Sequence, residues 1–195
     1  MKLLHIDSAA TGAGSVTREL TAAIVARWQA AVPGLAVAYR HLDAQPLPHL
    51  TAPVLAKADA AIAETGEQAL QQFLDSDVIV IGAPMYNFSV PSTLKAWIDR
   101  IAVSGRTFRY TEQGPEGLAG GKRVIVASGR GSVYGERNAA DFQEAYLRQV
   151  FGFIGIGDIE FVRAEGVGYS PQHRIDALAA AHAAIPLPLP LREAA

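Results

Sequence analysis

Ser15 and Thr17 follow a small-residue loop, Thr11-Gly12-Ala13-Gly14, just after a short apolar run (residues 3–6) that closes at Asp7 and Ser8. Hydroxyls and free backbone N–H groups at a helix start can cradle a phosphate, because the N–H groups point at the ligand and the helix dipole favours negative charge. An ordinary turn with Ser15 as a plain cap accounts for that loop equally well when it is taken alone. A second stretch, Met85-Tyr86-Asn87-Phe88, sets a thioether, two aromatic rings and a carboxamide behind the most apolar run of the chain. That mixture suits a flat ring with polar edges, which needs apolar faces to pack on and an amide at its rim. The third stretch, Ser128-Gly129-Arg130-Gly131-Ser132, holds an arginine among small residues. Arg130 is read either as a balance for negative charge on a bound group or as a solvated surface cation.

The absences are equally informative. There is no cysteine, which excludes thiol catalysis, zinc thiolate sites and iron–sulfur clusters. No HExxH, GxSxG, P-loop or calcium-loop pattern occurs, and the histidines (His5, His41, His49, His173, His182) show no ligand spacing. No metal site is expected. Gly12 and Gly14 approach a dinucleotide fingerprint, but Thr17 takes the place of the third glycine and Arg40 that of the usual acidic residue. A nicotinamide-binding domain with Arg40 on a 2′-phosphate is therefore an alternative. None of the 6 tyrosines has a lysine four residues later, which opposes a short-chain dehydrogenase. A site this poor in acids, bases and nucleophiles suggests that a cofactor carries the chemistry.

The net charge of −2 excludes the footprint of a general nucleic-acid binder. No run approaches the ~18 apolar residues of a membrane span, and Asp7 interrupts the start too early for a signal peptide. With cysteine absent, a cytoplasmic setting is expected.

Strands and helices alternate along the chain. Strands are expected at 3–6, 35–39, 78–81, 124–127 and 159–162, with Gly82-Ala83-Pro84 ending the third. The first helix begins at Ser15, buries Leu20, Ala23, Ile24, Trp28 and Ala31, and stops at Pro33-Gly34. Further helices are read over 56–74, 91–103, 139–150 and 171–185. Residues 45–55, with Pro46, Pro48 and Pro53, read as a loop. Lys95 and Asp99, one turn apart, read as a surface pair. Residues 106–121 break the alternation and read as a β-hairpin, serving as a lid or a subunit contact. Five strands joined by helices imply a doubly wound α/β sandwich with parallel order 2-1-3-4-5, the flavodoxin-like arrangement. A ligand then sits beyond the first and third strands, where the chemistry-bearing loops converge. Residues 1–185 are expected to form a single domain and 186–195 a proline-rich extended tail.

The stretch Ala83-Pro-Met-Tyr-Asn-Phe-Ser-Val-Pro-Ser-Thr-Leu-Lys-Ala-Trp-Ile-Asp99 closely resembles the signature of bacterial FMN-dependent NADH-azoreductases, which are also NADH:quinone oxidoreductases. Thr107-Phe-Arg-Tyr-Thr-Glu-Gln-Gly-Pro-Glu-Gly-Leu118 is similar to their hairpin, and Phe151-Gly-Phe-Ile-Gly-Ile156 and Ala164-Glu-Gly166 also match. The resemblance runs from about residue 2 to 185 and implies a cytoplasmic flavodoxin-like homodimer with one FMN per subunit and active sites near the dimer interface. It implies that Ser15, Val16 and Thr17 hold the phosphate and that Met85, Tyr86, Asn87 and Phe88 contact the ring and ribityl chain. Ser128, Gly129, Arg130, Gly131 and Ser132 would lie along the ring's other side, with Ser8 and Ala9 at the end of the first strand. Ala9 stands where the family usually has serine, Thr17 replaces a serine, the fourth-strand loop has a shifted glycine pattern, and the tail departs from a helical end.

The implied mechanism is ping-pong: NADH gives hydride to the flavin N5, NAD⁺ leaves, and a quinone or azo compound then takes two electrons. No side chain is assigned as catalytic, and protons come from water. The competing readings are a non-enzymatic flavodoxin-like electron carrier, a flavin-free dehydrogenase, and a regulatory protein that has lost its cofactor.

Overall fold

The computed structural model describes residues 1–135 and 138–188. Its first strand, β1 (Lys2–Asp7), lies between β2 (Ala36–His41) and β3 (Val78–Pro84). After a hairpin of β4 (Phe108–Thr111) and β5 (Gly114–Gly117), the sheet continues with β6 (Arg123–Gly129) and β7 (Asp158–Ala164). The order β2-β1-β3-β6-β7 is parallel throughout, so the five-stranded doubly wound sheet and the separate hairpin both match the sequence expectation.

Alternation along the central strands builds the layers. Leu4, Ile6, Ile79, Ile81, Val124 and Val126 face α3 (Ala60–Leu74), α4 (Ser92–Ile101) and α5 (Phe142–Phe153). Leu3, Val78, Val80, Ile125 and Ala127 face α1 (Val16–Ala31) and α6 (Pro171–Ala183). A sheet covered on both faces requires solidly apolar strands, which is why β3 and β6 are buried at every position.

Several boundaries differ from expectation for local reasons. The third strand runs through Gly82, Ala83 and Pro84, because β6 continues alongside to pair Pro84 with Gly129. The short helix α2 (Ala52–Leu55) interrupts the expected loop, with Pro53 in the first turn, where its missing N–H costs nothing. Residues 56–59 are not part of α3. Asp59 is its cap, accepting from the Ala61 and Ile62 amides, and Lys57 turns the chain with φ 51°. Pro91 caps α4 instead of entering it, and α5 begins at Phe142 because Asp141 accepts from the Gln143 and Glu144 amides. In α1, Ala31 is exposed, while Thr21 and Val25 join the buried face. The last helix ends at Ala183, and residues 185–188 have no regular structure. Residues 189–195 of the expected tail lie outside the described residues. Lys95 and Asp99 form the expected surface pair at 2.5 Å.

Candidate functional site

The cradle forms beyond the carboxyl ends of β1, β3 and β6, where the strand order reverses. A cavity of about 200 Å³ lies there, lined by Thr11, Gly14, Ser15, Val16, Thr17, Pro84, Met85, Tyr86, Gly129, Gly131, Val167 and Arg174. Ser15 caps α1 by accepting from the Arg18 amide at 3.2 Å, and its hydroxyl lies 3.1 Å from that of Thr17. Among the described residues, the Val16 and Thr17 amides meet no protein acceptor, so α1 presents donors at the mouth of the cavity.

Close packing sets the shape of the cradle. A Cβ on Gly129 would stand 3.0 Å from Thr17 Cγ2 and 3.5 Å from Val16 Cγ1, so glycine lets β6 approach the first turn of α1. A Cβ on Gly82 would stand 2.9 Å from Asp7 Oδ1. The Met85 amide donates to Gly129 O at 2.9 Å, fastening the second loop to the third. The Tyr86 hydroxyl accepts from the Ala10 amide at 3.2 Å, fastening it to the first.

Asn87 and Phe88 make a tight turn closed by two backbone hydrogen bonds, in which the Tyr86 and Ser89 amides each donate to the other's carbonyl. Both have positive φ, 49° and 68°. Left-handed backbone costs roughly 1–2 kcal/mol at a side-chain-bearing residue, and Phe lacks the short polar side chain that eases Asn into it. Strain of this kind persists where the surrounding structure holds a side chain in place, and here the Phe88 ring is left half exposed. Asn87 turns to a neighbouring hollow of about 650 Å³ shared with Tyr86, Lys95 and Tyr146. Burial, with the Asp99 charge adding, pushes the Tyr146 phenol up to about 12, so it stays a neutral donor.

Seven of the fourteen residues singled out from sequence line the cavity: Ser15, Val16, Thr17, Met85, Tyr86, Gly129 and Gly131. The other seven do not. The Ser8 hydroxyl donates to Gly82 O at 2.6 Å, and Ala9 is buried behind it. The Ser128 hydroxyl donates to Gln143 Oε1, whose own amide nitrogen donates to Ala83 O at 3.0 Å. Asn87, Phe88 and the exposed Ser132 stand outside its lining.

Arg130 is neither a solvated cation nor part of the lining. Its side chain is 0% exposed, with Nη2 2.8 Å from both Asp141 and Glu144 and Nη1 3.0 Å from Glu165. Nε donates to the Ser128 hydroxyl. Its charge is spent inside the protein, bracing the loop that carries Gly129 and Gly131.

Sequence reasoning missed a fourth wall, the loop from β7 to α6. The Gly166, Val167 and Gly168 amides donate to the Ser132, Arg130 and Gly131 carbonyls, which zips this loop to the third one. It brings Val167 and Arg174 to the cavity. The Arg40 guanidinium donates from Nε and Nη2 to Gln72 Oε1, at 3.0 and 2.6 Å.

Asp7, under the cradle, accepts from the Thr21 hydroxyl at 2.8 Å and the Tyr39 hydroxyl at 2.9 Å. Burial pulls its carboxyl upward, but His5, by hydrogen bond and charge, and the two hydroxyls outweigh that and hold it below the ordinary aspartate value.

The family described as Flavodoxin-like fold matches residues 1–186. A relative from Stenotrophomonas maltophilia named FMN-dependent NADH:quinone oxidoreductase is 64% identical over 186 residues, 95% of each chain. One of the same name from Xanthomonas oryzae is 66% identical over 185 residues, again 95% of each. Among solved structures, an azoreductase from Bacillus anthracis superposes with a TM-score of 0.84 at 29% identity, covering 94% of this chain and 95% of that one. An FMN-dependent NADH-azoreductase from the same species, in complex with FMN, gives 0.84 at 25% identity, covering 95% and 96%. With near-complete coverage at such identity, the chain belongs to the flavodoxin-like fold family and, within it, to the FMN-dependent NADH:quinone oxidoreductases.

Proposed function

We propose that the protein is an FMN-dependent oxidoreductase that takes hydride from NADH and reduces quinones and azo compounds in a ping-pong order. The observation that carries this reading is the cradle at the switch point of the sheet, in a chain 64% identical to an FMN-dependent NADH:quinone oxidoreductase.

The cradle fits a phosphorylated flavin. Two hydroxyls and two unpaired amides at the start of α1 suit a phosphate, and Gly129 leaves out the side chain that would collide with Thr17. The cavity is sized for the phosphate end of the cofactor, which leaves the ring system to the rim formed by Met85, Tyr86, Asn87 and Phe88. Ser8, Ala9, Ser128, Arg130 and Ser132 act from behind or beside that rim, Ser8, Ser128 and Arg130 through the hydrogen bonds that shape it. When bound, FMN supplies the two-electron chemistry that no side chain here provides.

The chain supplies position and environment. Ser15 and Thr17 anchor one end, the bonds from Met85 and to Tyr86 set the spacing of the walls, and Asn87 offers a carboxamide at the rim. Tyr146 keeps its proton across the working range, and solvent is the proton source. The protein acts as a single FMN-binding domain over residues 1–185, followed by a tail, and works in the cytoplasm as a homodimer with one FMN per subunit. The hairpin is a lid or subunit contact in that assembly.

The flavin-free alternative loses its motive, because Gln72 already holds the Arg40 guanidinium. The test is a visible spectrum of the protein with FMN, followed anaerobically through NADH and then a quinone. Bleaching by NADH and recovery with quinone support the reading. A protein that takes up no FMN overturns it, and one that is reduced by NADH but passes no electrons to quinones or azo compounds removes the acceptor assignment.

A further inference from the structure

The loop at the start of α1 is neutral, although the phosphate of FMN carries close to two negative charges at neutral pH. Its hydroxyls and amides donate hydrogen bonds but bring only the partial charge of a helix end. A carboxylate, Glu19, also stands in the first turn of α1. Such hydroxyl and amide donors can hold a phosphate by themselves, but a cation at the mouth of the cavity would add charge compensation, and two nearby arginines are engaged elsewhere. Arg18 leans on Asp7, with Nε 3.7 Å from Oδ2. Arg130 is enclosed by three carboxylates.

Arg174 is different. It stands one turn into α6, lines the same cavity as Ser15 and Thr17, and donates from Nη2 to Gly14 O at 3.0 Å. Among the described residues no carboxylate lies within ion-pair distance of its guanidinium, and the single bond to Gly14 uses one of its five N–H donors. Its placement is not loose. The Arg174 amide donates to Ser170 O, and Ser170 caps α6 by accepting from the His173 amide. The preceding loop is stitched to Arg130, Gly131 and Ser132, and a Cβ on Gly168 would stand 3.1 Å from Gly131 O. The close fit of one glycine loop on another thus fixes where α6 begins and where Arg174 reaches.

We infer that Arg174 is the phosphate-binding cation of the FMN site, supplied by the last helix to a loop that has hydroxyls but no charge of its own. The inference rests on the cofactor reading above. It makes a specific demand: Arg174 discriminates phosphorylated from unphosphorylated flavin, because riboflavin has the same ring and side chain without the phosphate.

The test is a fluorescence-quenching titration of flavin-free protein with FMN and, separately, with riboflavin. Wild type is compared with Arg174→Met, Arg174→Lys and the control Arg106→Met, a surface change beside Glu67 that alters net charge equally. A charge-assisted hydrogen bond lost from a half-exposed site predicts about tenfold or greater weakening for FMN in Arg174→Met. No change is expected for riboflavin, an intermediate loss in Arg174→Lys, and a shallower salt dependence of FMN binding. Arg106→Met should bind FMN as wild type does, and all variants should melt near the wild-type temperature. FMN binding unchanged in Arg174→Met, or equal losses for FMN and riboflavin, overturns the role of Arg174 while leaving the cofactor reading intact. Wild-type protein that binds no FMN overturns both.

Discussion

Replacing Arg130 with methionine removes a group that compensates three carboxylates at once. The side chain is fully enclosed, and its nitrogens stand 2.8 to 3.0 Å from Asp141, Glu144 and Glu165. Methionine fills much of the same volume, so the cavity contribution is small and the loss is electrostatic. Glu144 keeps Arg163, whose Nε lies 2.5 Å away, Asp141 keeps the amides at the start of α5, and Glu165 keeps those of Tyr134 and Gly135. Those remaining partners limit the damage without cancelling it, because removing one member of a buried ion cluster costs about 3–5 kcal/mol. Against a typical total of about 5–15 kcal/mol, that is a large share. For a chain of this length it corresponds to a melting point lower by about 6–20 °C. By contrast, Lys95→Met, which breaks an exposed pair on α4, should cost less than about 0.5 kcal/mol. Urea unfolding of both variants, monitored by circular dichroism, measures the two costs directly. Adding Glu165→Gln to Arg130→Met should recover part of the loss, since it removes one of the uncompensated charges. A cost below about 1 kcal/mol for Arg130→Met with an unchanged denaturant slope would show that the carboxylates are already satisfied without it.

Gly129→Ala should push Thr17 and the first turn of α1 outward, given the 3.0 Å approach of its new Cβ to Thr17 Cγ2. A crowding cost of about 1–3 kcal/mol should appear in the melt and, more sharply, in FMN affinity. Gly117→Ala meets backbone, not a side chain, with its Cβ 2.1 Å from Gly155 N, so the hairpin must lift from its dock. Limited proteolysis should then cut near residues 108–117, while FMN binding stays at the wild-type level. The Asp7 carboxyl sits below its unfolded value, so its stabilising contribution is complete above the ordinary aspartate range and is lost as pH falls through the lowered folded value. Asp7→Asn should flatten the acid end of the stability–pH curve below about pH 4, the ordinary aspartate value, and leave the neutral region's slope unchanged. An acid limb identical in both proteins would refute the assignment.

The legible part of this protein is the part set by local pattern. Runs such as Val78–Ile81 and Val124–Ala127 announced buried strands, and their alternation with helices dictated the sheet order, which in turn placed the cradle between the first and third strands. Half of the candidate residues line that cavity because they sit on loops whose position follows from strand order alone. Proline misled at one end of this logic: Pro53 suggested loop where it in fact opens the short helix α2, since a missing N–H breaks a helix interior but not its first turn. Ser8, Ser128 and Arg130 carry groups that suit a ligand, and the family resemblance implies the site for them. Whether a hydroxyl or guanidinium faces a ligand or the protein depends on partners far away in sequence, here Gly82, Gln143 and Glu165. Arg174 is not legible in the sequence for the converse reason. It lies on a polar, weakly patterned helix 160 residues from Gly14, and nothing near it in the chain signals a ligand. The cue that would have found it is electrostatic. A loop proposed to hold a doubly charged phosphate without a lysine or arginine of its own leaves room for one from elsewhere, and in this sheet the helix packed beside α1 is the nearest place to look.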